Sequence, residues 1–356
     1  MNFQLKNLDW KLNFAVLFLA LASLVSLLGA KPELFWKQLI WWVVGITLIF
    51  LIIGFDWRPF INYRGVVLGI YFAVIALLLL TFLFAPTIRG TRGWLVLGSF
   101  QLQASEFAKI SLIILYAIFF SRRHIGIARV SNLMVSFVYF IVPAVLVAIQ
   151  PDFGSVLILF SVWFGFLLVS GIRWRHLALM LIIFAVSGLF MWHNVLKDYH
   201  KERILGMLFP ARDALGINYS VIQSKIAIGS AGLFGKGFGQ GTQVQLGFLP
   251  EAQTDFIFSA VVEEWGLIAA SLLIVAFAVL LFRIIKVGLA SNNNFNRFVC
   301  LGAAILFIAH FVLNVGSNLG LTPVIGVTFP FLSYGGSSLL TNLMLIGIIQ
   351  SIKARG

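Results

Sequence analysis

Ten long apolar stretches run through the 356-residue chain and determine what it can fold into. A helix needs about 20 apolar residues to cross the hydrocarbon core of a bilayer. Stretches of this kind lie near residues 12–30, 38–55, 65–85, 105–120, 131–149, 154–171, 176–193, 256–282, 298–315 and 333–352. Only 10% of the residues are charged, against roughly a quarter in soluble domains. The sequence therefore predicts an all-α polytopic membrane protein with about ten transmembrane helices, forming a single transmembrane domain over residues 1–356.

The basic residues predict the orientation of these helices, because cytoplasmic loops carry an excess of Lys and Arg. If the N terminus is cytoplasmic, the short outer loops hold only Lys31, Lys37, Arg89 and Arg92. The inner side then holds 14 of the 25 basic residues, namely Lys6, Lys11, Arg58, Arg64, Arg122, Arg123, Arg129, Arg173, Arg175, Arg283, Lys286, Arg297, Lys353 and Arg355. We therefore expect a multi-pass protein of the cytoplasmic (inner) membrane with both termini in the cytoplasm. The net charge of +13 reflects this bias and gives no reason to expect nucleic-acid binding.

Most acidic residues and one long loop fall on the predicted outer side. Eight of the twelve acids lie there, namely Glu33, Glu106, Asp152, Asp198, Glu202, Asp213, Glu251 and Asp255. The loop between the seventh and eighth spans covers residues 194–254, and loops of that length are usually functional or contain their own helices. Residues 219–228 have the pattern of a surface helix. The glycine-rich residues 229–241 are expected to contact a lipid head group or to close over a groove.

Asp255 is the strongest candidate for a catalytic residue. It stands where the outer loop returns to apolar sequence, which places a carboxylate at the membrane surface. It either acts as a general base or only caps the following helix, whose N-terminal amides attract a carboxylate. Glu263 and Glu264 follow inside the apolar run, where acids usually mark a functional site or face a polar cavity. The simpler explanation for those two is pairing with a polar residue of a neighbouring span.

Further charged residues on the outer side are candidates for substrate binding. Glu106 and Lys109 are three residues apart, on one face of the fourth span. They either form a local ion pair, or Glu106 holds Lys109 toward a diphosphate. Asp152, in the turn 150–154, either caps the sixth span or lines the same cavity. Five basic residues on the outer side either contact anionic head groups or are solvated surface charges, namely Arg89, Arg92, Arg203, Arg212 and Lys225.

The segment between the last two spans is rich in small and polar residues. Such residues let backbones approach each other, and a loop can re-enter the membrane where protein buries it. The alternative is a plain surface connector.

Several motifs together resemble the SEDS family of RodA, FtsW and SpoVE. The most specific is Ser-Tyr-Gly-Gly-Ser-Ser at 333–338, with Gly-Leu-x-Pro at 320–323. The others are Pro-Glu-Ala-Gln-Thr-Asp-Phe at 250–256, Glu-Glu-Trp-Gly at 263–266, Ser-Glu-Phe-Ala-Lys at 105–109 and Gln-Pro-Asp-Phe-Gly at 150–154. The resemblance covers nearly the whole chain and the ten-span plan. The short tails and overall pattern are more similar to RodA, which acts in elongation, than to FtsW, which acts in division.

The resemblance implies a peptidoglycan glycosyltransferase that polymerises lipid II into β-1,4 glycan at the outer face of the cytoplasmic membrane. By matched position, Asp255 would be the essential carboxylate. The residues expected to bind substrate are Glu106, Lys109, Asp152, Glu251, Thr254, Arg92 and Ser333. The resemblance also implies a class B penicillin-binding protein as partner, alongside other membrane proteins of the elongation complex. The diphosphate leaving group requires positive charge, from Lys109, an outer-loop arginine or a divalent cation such as Mg²⁺ or Mn²⁺.

Two other functions are compatible with a multi-span protein that binds lipid II. A lipid II flippase would need a polar path through the bilayer, and the inner half of the predicted spans carries few polar residues. A non-catalytic scaffold of the cell-wall synthesis complex would need no catalytic carboxylate. The single Cys300 excludes an intrachain disulfide and a thiolate metal cage in either case.

Overall fold

Ten apolar helices form the framework of the computed structural model, which describes residues 7–56, 63–88, 90–98, 100–123, 130–194, 198, 201–202, 205–206, 209, 216 and 218–355. In chain order they are α1 (Trp10–Ala30), α2 (Pro32–Gly54), α3 (Arg64–Phe84), α4 (Ala104–Arg123), α5 (Val130–Ile149), α6 (Phe153–Val169), α7 (Trp174–Asn194), α10 (Ile257–Ala290), α11 (Asn294–Leu319) and α12 (Gly336–Arg355). Nine of these described helices are long and apolar enough to cross a membrane, and α6 is a shorter apolar helix. Each coincides with a predicted span, which confirms the polytopic helical fold.

In residues 218–254 of the long outer loop, the structure describes two further helices, α8 (Tyr219–Ser230) and α9 (Thr242–Gln245). The helix predicted at residues 219–228 is therefore confirmed. Seven residues for which the sequence analysis makes a prediction lie outside the described residues, namely Lys6, Arg58, Arg89, Arg129, Arg203, Arg212 and Asp213.

A short antiparallel hairpin departs from the all-α prediction. Its strands are β1 (Trp94–Leu97) and β2 (Phe100–Gln103), with Trp94 opposite Gln103. Branched and aromatic residues favour this extended conformation. The Ser337 hydroxyl accepts from Gln103 N (2.9 Å) and donates to the Gln101 carbonyl (3.0 Å). The hairpin is thereby attached to the first turn of α12.

The first and last helices are joined at one end of the bundle, which we name the terminal end (Asp9, Arg283 and Gln350). The buried Asp9 carboxylate caps α1 by accepting from Leu12 N, and it also accepts from Arg283 Nε at 2.9 Å. Gln350, near the end of α12, accepts from Asp9 N and donates to the Asp9 carbonyl. Both ends of the described chain therefore lie on the same face, as an even number of spans requires.

Helix α10 is broken at Gly266. Its 34 residues would make a straight helix of about 51 Å at 1.5 Å per residue, against a hydrocarbon thickness of about 30 Å. Gly266 has φ 79° and ψ −176°, a conformation open essentially only to glycine. Residues 257–264 before the break are all buried, whereas residues 267–290 have a buried stripe and exposed apolar faces. The break thus separates a buried segment from the spanning part of α10.

The glycine-rich segment of the outer loop docks on this break. Lys236 N donates to the Glu263 carbonyl and Gly237 N to the Glu264 carbonyl, both at 2.9 Å. On the other side of the break, Leu267 N donates to the carbonyl of Gly232 at 3.0 Å. Backbone groups that lose their helical partners must be satisfied elsewhere, and here the loop satisfies them. This structural role was not predicted.

The prediction that Glu263 pairs with a neighbouring span is wrong, because its partners come from the outer loop. The fully buried Glu263 carboxylate accepts from Lys236 Nζ (2.7 Å) and from Gln243 N (2.9 Å). It also accepts from Thr242 Oγ1 and Val244 N. Burying a carboxylate is costly unless it is paired and hydrogen-bonded, and this set of donors meets that requirement.

We expect Gly266→Ala to lower the free energy of unfolding by about 3 kcal/mol or more. An added Cβ would overlap the backbone of Leu233 and Gly235, and alanine does not readily adopt the glycine conformation. Thermal unfolding in detergent measures the effect. The matched control is Gly69→Ala in α3, where a Cβ meets no atom within 4 Å. Equal melting temperatures for the two variants would contradict the account of the break.

Candidate active site

Asp255 lies in a tight turn directly before α10, which we name the Asp255 turn (residues 251–256). Glu251 has φ 52°, and its carbonyl accepts from Thr254 N (3.1 Å) and Phe256 N (3.2 Å). The Thr254 hydroxyl donates to Glu251 Oε2 at 3.1 Å. The interpretation of Asp255 as the cap of α10 is wrong, because Phe256 occupies the N-cap position. The half-buried Asp255 lies in the turn itself, one residue before the N-cap position.

The loop between α11 and α12, which we name the C-terminal loop (residues 320–335), is hydrogen-bonded to this turn. Tyr334 N donates to the Gln253 carbonyl at 2.8 Å, and the Ser333 hydroxyl donates to the Thr254 carbonyl at 2.6 Å. Ser333 Oγ in turn accepts from Phe329 N at 2.8 Å. The hydroxyl of Ser333 thus both donates and accepts a hydrogen bond within the protein. Its contact with substrate stays a prediction.

Helix α11 holds the carbonyl of Asp255 itself. Asn314 Nδ2 donates to it at 2.9 Å and Asn318 Nδ2 at 2.8 Å. The carboxylate points toward the C-terminal loop, because Asp255 Oδ2 lies 4.0 Å from the position that a Cβ would take at Gly326. Three consecutive carbonyls, those of residues 253–255, are therefore all held by the C-terminal part of the chain.

Residues 329–333 of the C-terminal loop are buried within the bundle, whereas residues 320–326 are partly or fully exposed. The loop is therefore not a plain surface connector along its whole length. The Phe329 ring packs on Phe277 and Phe311, with centroids 5.4 and 5.5 Å apart. Phe277 lies eleven residues beyond Gly266, well inside the spanning part of α10. The expectation that protein would bury this loop is confirmed for residues 329–333.

Glu106 and Lys109 form a buried ion pair at the start of α4. Lys109 Nζ lies 2.8 Å from Glu106 Oε1, and the two residues are only 2% and 5% exposed. The other oxygen, Glu106 Oε2, accepts from Thr341 Oγ1 at 3.4 Å. Lys109 Nζ also lies 3.4 Å from His310 Nε2. Of the two interpretations of the sequence, the ion pair is confirmed, and contact with a diphosphate stays a prediction.

A chain of hydrogen bonds connects this ion pair to the Asp255 turn. His310 Nδ1 faces the Thr328 carbonyl at 3.0 Å, and a carbonyl only accepts, so Nδ1 carries the proton and Nε2 accepts from Lys109. Asn314 Nδ2 bonds the adjacent Val327 carbonyl at 2.8 Å as well as that of Asp255. Residues 327–328 thus bring the catalytic candidate and the buried lysine into one network.

Asp152 caps α6, which confirms one of its two interpretations. Its Oδ1 accepts from Ser155 N at 3.0 Å, and its Oδ2 accepts from Gln103 Nε2 (2.9 Å) and Ser105 Oγ (3.0 Å). These bonds tie α6 to the hairpin and to the start of α4. Its contact with substrate stays a prediction.

Arg92 is the exposed basic residue of the predicted set. Its Nε donates to Thr87 Oγ1 at 3.1 Å, and its backbone N–H donates to the Gln150 carbonyl at 3.3 Å. The backbone bond places Arg92 beside the turn that contains Asp152. An exposed guanidinium at this position is suited to an anionic head group, and that contact stays a prediction.

Comparison with known proteins identifies the family. Residues 7–355 match the FtsW–RodA–SpoVE family, described as Cell cycle protein. The chain belongs to this family. It is 37% identical over 291 residues to the peptidoglycan glycosyltransferase MrdB of Escherichia coli K12, covering 82% of this chain and 78% of that protein. It is 33% identical over 318 residues to the stage V sporulation protein E of Bacillus subtilis, covering 89% and 86%. The resemblance to the SEDS family is confirmed.

Two solved structures have the same fold. A chain from a peptidoglycan synthase complex, solved to explain how polymerization and crosslinking are coordinated, matches with a TM-score of 0.83 and 30% identity over 97% of both chains. The rod shape determining protein RodA of Thermus thermophilus matches with a TM-score of 0.73 and 29% identity, over 97% of this chain and 96% of that one.

A preformed metal centre is not found in the part of the chain that the structure describes. Those residues include no group of three or more His, Cys, Asp or Glu side chains that could hold a metal ion.

Proposed function

We propose that this SEDS protein is a peptidoglycan glycosyltransferase that polymerises lipid II during cell elongation. Its relatives with this activity in their names match over most of the chain. The structural observation that carries the proposal is the Asp255 turn, which presents a half-buried carboxylate beside a network that includes the buried Lys109. A base and a cation at one end of an apolar bundle are what sugar transfer from a lipid diphosphate requires.

The proposed reaction joins two sugars with inversion. Asp255 takes the proton from the 4-hydroxyl of the acceptor GlcNAc. The hydroxyl oxygen attacks the anomeric carbon of the donor chain, the bond between that carbon and the diphosphate oxygen breaks, and undecaprenyl diphosphate leaves. Inversion at this carbon gives the β-1,4 linkage. General-base assistance of this kind is typically worth about 10²–10⁴ in rate.

We assign the substrate contacts by position. Lys109, with Glu106 beside it, and the exposed Arg92 supply positive charge for the diphosphate. Near Asp255 we place Glu251, Thr254 and Ser333. Asp152 holds the hairpin and the start of α4 through its bonds to Gln103 and Ser105. A divalent cation that arrives with the diphosphate needs only one or two protein carboxylates, so Mg²⁺ or Mn²⁺ stays part of the proposal without a resident site.

The proposed location is the cytoplasmic membrane, with the Asp255 turn at the outer face and both termini in the cytoplasm. Two features support this orientation. The inner side would hold most of the basic residues, and α12 runs from the C-terminal loop beside Asp255 to the terminal end at Gln350. We also propose a class B penicillin-binding protein as partner, because a similar chain belongs to a peptidoglycan synthase complex.

The test is a polymerisation assay on the purified full-length protein. Fluorescently labelled lipid II in detergent is expected to give a ladder of glycan strands on a gel, which a muramidase digests. Detergent contains no bilayer to cross, so a flippase gives no ladder. A scaffold also gives no ladder, whether it is assayed alone or together with a class B penicillin-binding protein whose transpeptidase is inactivated. The absence of polymer under both conditions would reject the proposal.

A further inference from the structure

Two asparagines of α11, one helical turn apart, converge on one backbone atom. Asn314 and Asn318 are 1% and 0% exposed, and both donate to the carbonyl oxygen of Asp255. Polar side chains inside an apolar helix are expensive unless they are hydrogen-bonded. Here each of the two amides makes a bond to the residue that we propose as the base. Packing of α11 does not require these two bonds. The pair of asparagines is therefore best explained by the position that they give to Asp255.

The orientation of both amides follows from their partners. Asn318 Nδ2 faces the carbonyls of Asp255 and Asn314, which only accept, while Asn318 Oδ1 accepts from Ser259 N at 3.1 Å. Asn314 Nδ2 faces the carbonyls of Asp255 and Val327 at 2.9 and 2.8 Å. A flipped amide would oppose oxygen to oxygen in either residue. Both donors are therefore fixed on the Asp255 carbonyl.

Two donors on one carbonyl restrict the whole peptide group. A carbonyl oxygen has two lone pairs, and the two amide donors together can engage both. Because the Thr254 carbonyl is also held, by Ser333, the backbone is fixed on both sides of the Asp255 Cα. The carboxylate then moves only through its own side-chain torsions. A displacement of about 1 Å at a reacting group can change a rate by about 10²-fold.

We propose that Asn314 and Asn318 are positioning residues, which set the place of the Asp255 carboxylate through its backbone carbonyl. They hold the base, and the inference rests on the proposed function of Asp255. Ser259 belongs to the same arrangement, because its backbone N–H and hydroxyl both bond Asn318 Oδ1 and keep that amide turned toward Asp255.

The decisive variant is Asn318→Asp, measured for initial rates of lipid II polymerisation at several substrate concentrations. Aspartate keeps the size of asparagine and still accepts from Ser259, but when ionised it has no N–H for the Asp255 carbonyl. We expect kcat to fall about 10- to 100-fold with KM within about twofold of wild type. Because a protonated carboxyl can donate one bond, the activity relative to wild type should rise as the pH is lowered.

Asn314→Ala provides the second measurement, since the Asp255 carbonyl then keeps one donor and the fold keeps most of its bonds. We expect kcat to fall about tenfold. The matched control is Ser317→Ala on the same helix, which removes a buried hydroxyl that bonds only the Asn314 carbonyl and should keep wild-type kcat. Melting temperatures and gel filtration in detergent identify folded variants.

Wild-type kcat in a folded Asn314→Ala or Asn318→Asp protein would overturn the inference, and so would a change confined to KM. If Asn318→Asp is not recovered folded, Asn314→Ala alone decides. Wild-type protein and Asp255→Asn are assayed in parallel. Inactive wild type would reject the proposed function, whereas active wild type, inactive Asp255→Asn and fully active asparagine variants would reject only the positioning role.

Discussion

Asp255→Asn is expected to reduce glycan polymerisation by about 10²–10⁴ or more while the protein stays folded. An amide of the same size cannot accept the proton of the attacking hydroxyl. The side chain is half-buried, and the backbone bonds to Asn314 and Asn318 do not depend on the carboxylate. The assay is the gel ladder from labelled lipid II, with the melting temperature measured on the same preparations.

Glu33→Gln is the matched control for this variant. Glu33 is an exposed acid in the first turn of α2, and its removal should leave the polymer yield at the wild-type level. Asp255→Glu adds a second comparison, because it keeps the carboxylate but moves it by about one bond length. Its activity should lie between wild type and Asp255→Asn. Near-normal polymer from folded Asp255→Asn would show that another group is the base.

The spans could be predicted because each depends on local sequence. Apolar runs of the required length fix where a helix crosses a membrane, and all ten positions are occupied by helices. The residues at which these helices begin and end are less well predicted by the apolar stretches. Helix α11 begins at Asn294, four residues before the predicted start, because the Asn293 side chain caps it by accepting from Phe295 N. Capping extends a helix beyond its apolar stretch.

The break at Gly266 could not be predicted, because a single glycine in an apolar helix is tolerated without a kink. Its stability depends on the outer loop, whose glycines reach it from residues 232–237. Glu263 was misinterpreted for the same reason, since its partner Lys236 is 27 residues away.

The charged candidates of the site, together with Thr254 and Ser333, could be named from the sequence, whereas Asn314 and Asn318 were missed. Asp255, Glu106 and Lys109 stand out because acids and lysines are rare in apolar sequence. Asn318, 63 residues after Asp255, carries no charge and belongs to a polar run near a helix end. The spacing of His310, Asn314 and Asn318, four residues apart each time, places all three on one helical face. That periodicity was the available signal.

Glu106→Gln is expected to lower the free energy of unfolding by about 3–5 kcal/mol, because it leaves Lys109 buried without a counter-charge. Both side chains are under 10% exposed, so water cannot replace the lost carboxylate. Denaturant or thermal unfolding in detergent measures the change. Asp56→Asn is the matched control, since it breaks the ion pair with Arg355 in which Asp56 is 41% exposed. A pair of that kind contributes about 1 kcal/mol or less.

The double variant Glu106→Gln/Lys109→Met separates stability from chemistry at the same position. Removing both charges leaves no uncompensated ion, so the free energy of unfolding should recover most of what the single variant lost. Polymerisation should stay strongly reduced if Lys109 also stabilises the leaving diphosphate, because methionine carries no positive charge. A double variant with recovered stability and wild-type polymerisation would show that the ion pair is purely structural. The charge for the diphosphate would then have to come from Arg92, another outer-loop residue or a bound cation.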